Sequence, residues 1–354
     1  MVTISDSKYY QNMNNNINIF YTTSSLDYDH EFEVFNGVLE PHQDSPLRQQ
    51  SILTSLRENG YRLEAKTYIL PESVLHEVHS RDYVTFLKET CLGLTKKDIL
   101  FPSVFSETLP QSTNTQALLG YYSTDMYTPL HSNTYEAAIN SAAVAYSAAL
   151  SVADQQAPYA YALCRPSGHH ASQNKMGGYC FFNNAAIAAQ VLSKKGRVAM
   201  LDVDFHHGNG TQEIFYDRPD VLTISIHADP AWKFPYYAGF ENEKGSKKGL
   251  GTNVNVPLPQ GTNNEEYHTS LMHAIDKIKQ FNPAYLVVPL GFDTYFADPI
   301  GGFALTTDYY YRMAQAIRSV KIPTVLVQEG GYNIDMLGKN VVTFLEGFQV
   351  EPTV

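Results

Sequence analysis

Residues 200–210, MLDVDFHHGNG, carry an apolar run straight into two aspartates, two histidines and two glycines. Side chains on a strand alternate between faces, so Asp202, Asp204 and His206 project together, while Val203, Phe205 and His207 point the other way. Carboxylate and imidazole are the ligands a divalent catalytic metal takes where thiolates are absent. A strand end can hold them rigidly with one coordination position open. The competing reading is a buried Asp/His hydrogen-bond cluster that caps a strand. A second source of ligands is PLGFDTYFADP at 289–299, where a strand delivers Asp293 at its end. Alone, such an aspartate is more often a helix cap than a ligand. Together, Asp204, His206 and Asp293 make three ligands from two strand ends, the number that leaves a position for water.

Two further motifs supply groups of the kind that act beside a metal. CRPSGHHASQNKMGGYCFFNN at 164–184 contains the adjacent pair His169 and His170. Neighbouring side chains diverge, so the pair suits a general base and an electrostatic stabiliser better than a shared metal ion. Asp202 and Asn209 flank the Asp204/His206 pair in sequence and are the expected orienting partners. Simple surface polarity is the alternative for the histidines. In QEGGYN at 328–333, Gly330 and Gly331 permit backbone conformations other residues avoid and place Tyr332 on a turn beyond a strand. A phenol there can donate a hydrogen bond to a developing oxyanion, or simply pack beneath a loop.

The elements that must position these groups read as α/β. Val/Ile/Leu-rich runs at 197–204, 221–227, 284–290 and 323–328 lack clean alternation, as strands buried on both faces of a parallel sheet do. Helical patterns lie between them. Asn133 to Glu136 has the spacing of a capping box before an Ala-rich helix to about Ala153, and Thr262 to Glu265 repeats it before a helix ending near Phe281. Further helices are expected after Asn183 and Thr307. The alternation predicts a central, mostly parallel sheet with helices on both faces and a ligand site beyond the strands' carboxyl ends. Residues 96–120 and 228–252 read as long loops, and the Asn-rich start of the chain as disordered.

Composition narrows the class. With 354 residues, 44% of them hydrophobic, the chain can bury a substantial core as one domain. A net charge of -11 disfavours a nucleic-acid partner and suits a cationic small molecule. Cys91, Cys164 and Cys180 cannot form an even disulfide framework, so core thiols in a reducing compartment are expected. No apolar run of membrane-spanning length and no secretory signal pattern occur, which predicts a soluble, cytoplasmic protein with no membrane partner.

RPSGHH, GGYCFFNNAA, LDVDFHHGNGTQ, GFDTY and EGGYN stand in the order found in the histone deacetylase and acetylpolyamine amidohydrolase family, and the chain is similar to it from about Asn18 to Phe348. NGVLEPHQDSPLR, the 96–120 loop, DPAWKFPYYAGF and FADP resemble the acetylpolyamine amidohydrolase branch. The resemblance implies an arginase/deacetylase-like α/β domain over 18–348, between a disordered extension at 1–17 and a tail at 349–354. It implies a zinc-dependent deacetylase that hydrolyses the acetamide of N-acetylated primary amines. Asp204, His206 and Asp293 become zinc ligands, and Tyr332 the oxyanion donor. His170 becomes general base and acid, and His169 its electrostatic partner, with Asn209 and Asp202 orienting them. Gly178, Tyr179 and Phe234 resemble the walls of an acyl-lysine tunnel. The segment with Asp202, Ser225 and Ile226 matches a structural potassium site. A dinuclear arginase-like site is disfavoured because Tyr295 stands where a second carboxylate is needed, although Asp298-Pro299 keeps part of that pattern.

The resemblance leaves the substrate open. Gln116 stands near the channel mouth where the branch carries Glu, which favours acetyl-lysine peptides alongside acetylpolyamines; Glu107 is the nearby carboxylate of the same loop. An inactive acyl-amine binding module is the alternative from another class, and the complete set of reacting residues argues against it. The 96–120 loop, with Phe101, Phe105 and Leu109 among polar residues, predicts a homodimer in which it shapes the partner's channel.

Overall fold

The computed structural model describes residues 17–65 and 67–350. The expected N-terminal extension and C-terminal tail lie outside these residues except at their inner edges. Ile17 already belongs to the first strand, and Gln349 still belongs to the last helix.

The strands are β1 (Ile17–Tyr21), β2 (Phe32–Phe35), β3 (Val38–Pro41), β4 (Leu63–Glu64), β5 (Tyr159–Leu163), β6 (Val198–Asp202), β7 (Val221–Ala228), β8 (Asn253–Leu258), β9 (Tyr285–Leu290) and β10 (Thr324–Gln328). Eight of them form one parallel sheet in the order β4-β1-β5-β10-β9-β6-β7-β8. β2 and β3 make a separate antiparallel hairpin closed by Asn36 and Gly37, both at positive φ, the geometry that a tight hairpin turn requires.

Both faces of the sheet are buried, which explains why its strands read as continuous apolar runs. Ala160, Ala162, Val198, Met200, Val287, Val325 and Val327 face one cluster, packed beneath the Ala-rich helix Thr134–Ala153 and the helix Asn184–Ser193. Tyr161, Leu163, Ala199, Leu201, Leu286, Val288 and Leu326 face the other, beneath Pro46–Glu58, Asn264–Phe281, Thr307–Arg318 and Ile334–Gln349. All three cysteines are buried and free. Among the described residues no helix is long and apolar enough to cross a membrane.

Several local expectations are corrected. Asn133 precedes its helix but makes no capping bond; its amide donates to the Asp27 carbonyl at 2.8 Å instead. The capping box of the Asn264–Phe281 helix is Asn263 with Glu266, one residue later than expected, because the Thr262 hydroxyl turns back to the Pro259 carbonyl at 2.7 Å. The stretch 96–120 is not a loop throughout. Asn114 Oδ1 accepts from the backbone of Gln116 and Ala117 and starts the helix Thr115–Tyr122. The run expected as a strand to residue 204 leaves the sheet after Asp202, where the Asp204 N–H turns onto the Asp202 carboxylate at 3.1 Å. Alternation survives the break, since Val203 and Phe205 stay in the core while His207 packs on His227.

A buried ion cluster ties the N-terminal segment under the sheet's carboxyl edge. Asp44 pairs with Arg48 one helical turn on, and with Arg165 Nε at 3.1 Å just after β5. Arg48 also donates to the carbonyls of Gly331 at 2.6 Å and Glu329 at 2.7 Å, reaching the turn that carries Tyr332. Burial opposes the Asp44 charge, but Arg165 and Arg48 outweigh it and hold the carboxyl below its usual range. Its stabilisation is therefore present above the ordinary carboxylate range and is lost as pH falls through the depressed value. Asp44→Ala leaves two buried guanidinium groups unpaired, and the expected cost is about 3–5 kcal/mol in a denaturant titration. Retention of wild-type stability would assign the cluster no structural role.

Candidate metal centre and active site

Four adjacent strands of the sheet, β5, β10, β9 and β6, deliver the site from their carboxyl ends. The loop after β5 brings His169 and His170, β6 leads to Asp204 and His206, β9 leads to Asp293, and β10 leads to Glu329 and Tyr332. Ligand atoms of Asp204, His206 and Asp293 lie within 4.8 Å of one another, and all three residues are buried. His206 Nδ1 is 2.9 Å from Asp293 Oδ2 and 3.4 Å from Asp204 Oδ1. Backbone amides fix the remaining lone pairs. His206 N–H and Gly330 N–H each donate to Asp204 at 2.8 Å, and Phe205 N–H donates to Asp293 at 2.9 Å. A Cβ on Gly330 would fall about 2.5 Å from both carboxylates, so only glycine lets the turn close over them.

The donor set fits a divalent metal. Burial opposes ionisation of both aspartates, yet His169 and His206 hold Asp204 below the carboxylate range, while burial and the Asp204 charge push Asp293 up. Two carboxylates and an imidazole that crowd one point in this way are the arrangement that a divalent cation relieves.

The two histidines differ sharply in environment although adjacent in sequence. His169 Nδ1–H donates to Asp202 at 2.9 Å, and its Nε2 stands 3.7 Å from Asp204. Burial disfavours its charge, but Asp204 and Asp202 prevail and raise it to about 10. His170 Nδ1–H donates to Asn209 Oδ1 at 2.7 Å. Burial, then the proximity of His169 and His206, pulls His170 well below the usual imidazole value and keeps it neutral. The Asn209 amide is itself oriented, since its Nδ2 donates to Tyr237 Oη at 3.1 Å.

His170, His206 and Tyr332 line a cavity of about 290 Å³ together with Gly178, Tyr179 and Phe234. Phe234 meets His170 edge-on at 4.9 Å, and Tyr179 lies 5.8 Å from Tyr332. Gly178 has a φ of +54°, and a Cβ there would strike the His170 ring at 2.2 Å. Tyr332 packs under the Arg48 guanidinium, 4.5 Å away, and Asp298 Oδ2 accepts from its backbone N–H at 2.7 Å. Burial keeps the phenol protonated by raising it well above 10, so it remains a donor. Gln116 does not line this cavity. It occupies the first turn of the Thr115–Tyr122 helix, where its Oε1 accepts from Ser103 at 3.2 Å. Asp202 and Ser225 are register partners on β6 and β7 and border a separate small void, while Ile226 is buried in the core.

Several residues essential to this geometry carried no sequence signal strong enough to assign. Glu329 is fully buried and accepts from the backbone N–H groups of Gly168 at 2.6 Å and His169 at 3.1 Å, which fixes the histidine loop. Its place beside the Gly330-Gly331 pair was the available hint. The i, i+4 spacing of Asp44 and Arg48 pointed to a pair, but not to its position under Tyr332.

A parallel sheet with a carboxylate–imidazole triad beyond its carboxyl edge places the chain among α/β proteins with candidate metallohydrolase sites. The histone deacetylase domain matches residues 42–348, and the chain belongs to that family. It is 40% identical over 325 residues to acetylpolyamine amidohydrolase 2 of Pseudomonas aeruginosa, covering 90% of this chain and 94% of the relative. Identity to the acetylpolyamine amidohydrolase of Mycoplana ramosa is 39% over 325 residues, covering 89% and 94%. The crystal structure of an acetylpolyamine aminohydrolase from Burkholderia pseudomallei superimposes with a TM-score of 0.90 at 36% identity, covering 94% of this chain and 98% of the other.

Replacing Asp204, His206 or Asp293 singly by Ala is expected to abolish stoichiometric metal in elemental analysis of the purified protein. If two of the three variants keep full metal content, the triad is not the metal centre.

Proposed function

We propose that the chain is a zinc-dependent deacetylase that hydrolyses N-acetylated primary amines, acetylpolyamines and related acetyl-lysine substrates, to acetate and the free amine. The observation that carries this reading is convergence: His206 of the triad, His170 of the histidine pair and Tyr332 line one cavity, together with the aromatic rings of Tyr179 and Phe234. Zinc held by Asp204, His206 and Asp293 would supply Lewis acidity to the acetamide carbonyl and make the attacking water more acidic.

The remaining work falls to the protein's own groups. Asn209 takes the Nδ1 proton of His170 in its hydrogen bond, which leaves Nε2 as the lone pair that can accept a proton from water and later return it to the leaving amine. His169, tied to Asp202, holds positive charge beside the developing negative charge. Tyr332 donates its phenolic hydrogen bond to the oxyanion. Tyr179 and Phe234 flank the acyl chain and exclude water. A potassium ion beside Asp202 and the Ser225–Ile226 backbone belongs to the same reading. So does a cytoplasmic setting, which three unpaired buried thiols support.

Acetyl-lysine peptides as main substrates are a second reading, favoured by the position of Gln116 outside the cavity. Acetate release from acetylputrescine, acetylspermidine and an acetyl-lysine peptide, measured side by side, tests both. Activity on none of them would end the deacetylase assignment. Tyr332→Phe is expected to keep its zinc while kcat falls about 10²-fold, the scale for one lost oxyanion donor; wild-type kcat in the loaded variant would leave the phenol with packing alone.

A homodimer joined through residues 96–120 is supported by Ile99, Val104, Phe105 and Leu109, apolar side chains exposed on that segment. Light scattering at micromolar concentration is expected to give twice the chain mass. A persistent monomer rejects the shared channel.

A further inference from the structure

A second cleft, of about 590 Å³, borders Asn209. Asn209 and Tyr237 line it with Gln173, Gln212 and Glu213, and neither Asn209 nor Tyr237 lines the cavity that contains His170 and Tyr332. Asn209 thus touches both the base and the cleft. Its amide ends in an oxygen and a nitrogen of similar size, so a half-turn exchanges them at little steric cost. The chemistry is not symmetric. With Oδ1 towards His170, Nδ1 keeps its hydrogen and Nε2 is the lone pair. With Nδ2 there instead, Nδ1 must accept, the hydrogen moves to Nε2 and the base is lost.

Two neighbours hold the amide the productive way round. Nδ2 donates to the His170 carbonyl at 3.4 Å and to the Tyr237 hydroxyl at 3.1 Å. The carbonyl can only accept, but that contact is long. A hydroxyl can donate or accept, so the phenol enforces the orientation only if its own hydrogen is committed elsewhere. Its second hydrogen-bond partner is the Thr124 side chain. Thr124 Oγ1 has one hydrogen, which goes to Asp125 Oδ2 at 3.0 Å or the Met176 carbonyl at 3.2 Å. Asp125 also accepts from the N–H groups of Gly178 at 2.7 Å and Tyr127 at 2.9 Å, and from the Thr128 hydroxyl at 3.0 Å. So many donors leave this carboxylate an acceptor alone. The Thr124 oxygen is then free to accept from Tyr237, and the Tyr237 oxygen to accept from Asn209. Burial pushes the phenol up to about 12, so it has a hydrogen to give.

We propose that Tyr237 is a positioning residue for His170: a one-way chain of hydrogen bonds from Asn209 through Tyr237 and Thr124 to Asp125 locks the Asn209 amide and holds His170 in the tautomer whose Nε2 is free. This rests on the deacetylase reading, in which that Nε2 accepts the proton of the attacking water. The cleft supplies the need for a lock. Water there donates and accepts with equal ease and would satisfy either orientation of the amide, whereas the committed phenol satisfies one. A carboxylate in place of the amide would need no lock, because both of its oxygens accept.

The test introduces Tyr237→Phe into two backgrounds, the wild type and Asn209→Asp. Tyr237 is 56% exposed, so its hydroxyl can be removed without opening the core. In the wild-type background, kcat on acetylputrescine is expected to fall about threefold to tenfold with KM unchanged, the scale of one net hydrogen bond. In the Asn209→Asp background the ratio of kcat with and without the hydroxyl is expected to approach one. A role in packing or substrate contact lowers kcat alike in both, and that result, or no effect in the wild-type background, overturns the proposal. Nitrogen NMR of histidine-labelled protein reads the tautomer without turnover, with His170 assigned by its loss in His170→Gln. The wild type is expected to hold its hydrogen on Nδ1, and Tyr237→Phe to show a mixture with Nε2. An unchanged His170 signal in Tyr237→Phe overturns the proposal by itself, whereas acetate release from no substrate ends the deacetylase reading and leaves the NMR result to decide the lock.

Discussion

Burying negative charge is the constraint on which the rest of this structure depends. Asp202, Asp204, Asp293 and Glu329 are all at most 3% exposed and stand at or just beyond the carboxyl ends of neighbouring strands. Isolated carboxylates in such a place would take up protons rather than remain charged. The fold compensates with backbone N–H groups of Gly168, His169, Asp204, Phe205, His206 and Gly330, and with the imidazoles of His169 and His206. What remains after that compensation is concentrated between Asp204 and Asp293, where a divalent cation fits.

The same constraint sorts the adjacent histidines. His169 touches two carboxylates and is driven towards its charged form, whereas His170 touches an amide and is driven towards its neutral form. One dipeptide thus presents a charged and a neutral imidazole, ring centroids 4.0 Å apart, without any difference in side-chain chemistry. Positioning them requires rigidity from outside the loop. Glu329 accepts from the backbone of Gly168 and His169, and Arg48 donates to the carbonyls of Glu329 and Gly331 in turn, so the N-terminal helix Pro46–Glu58 indirectly sets both the histidine loop and the Tyr332 turn.

The central strands and the Asp204, His206 and Asp293 cluster were legible in the sequence because both obey short-range rules. Apolar runs at 221–227 and 284–290 are bounded by polar turns, and the Asp204/His206 alternation carries its own geometry. β5, with the sequence YAYAL, hid its role because alanines on one face are what the Ala-rich helix Thr134–Ala153 needs for close packing. β8, NVNVPL, sits at the sheet edge and alternates buried with half-buried residues. Glu33 could not be placed from sequence at all. Its burial beside the cavity depends on how the hairpin folds over Tyr179 and His42, contacts separated by up to about 150 residues.

Anomalous diffraction at the zinc edge from crystals of the purified protein tests the metal centre most directly. The result expected is a single strong peak among His206 Nδ1 and the carboxylates of Asp204 and Asp293, at about 2.0–2.2 Å from each ligand atom. A peak held instead by His169 and His170, or none at the triad in protein that releases acetate, would contradict it.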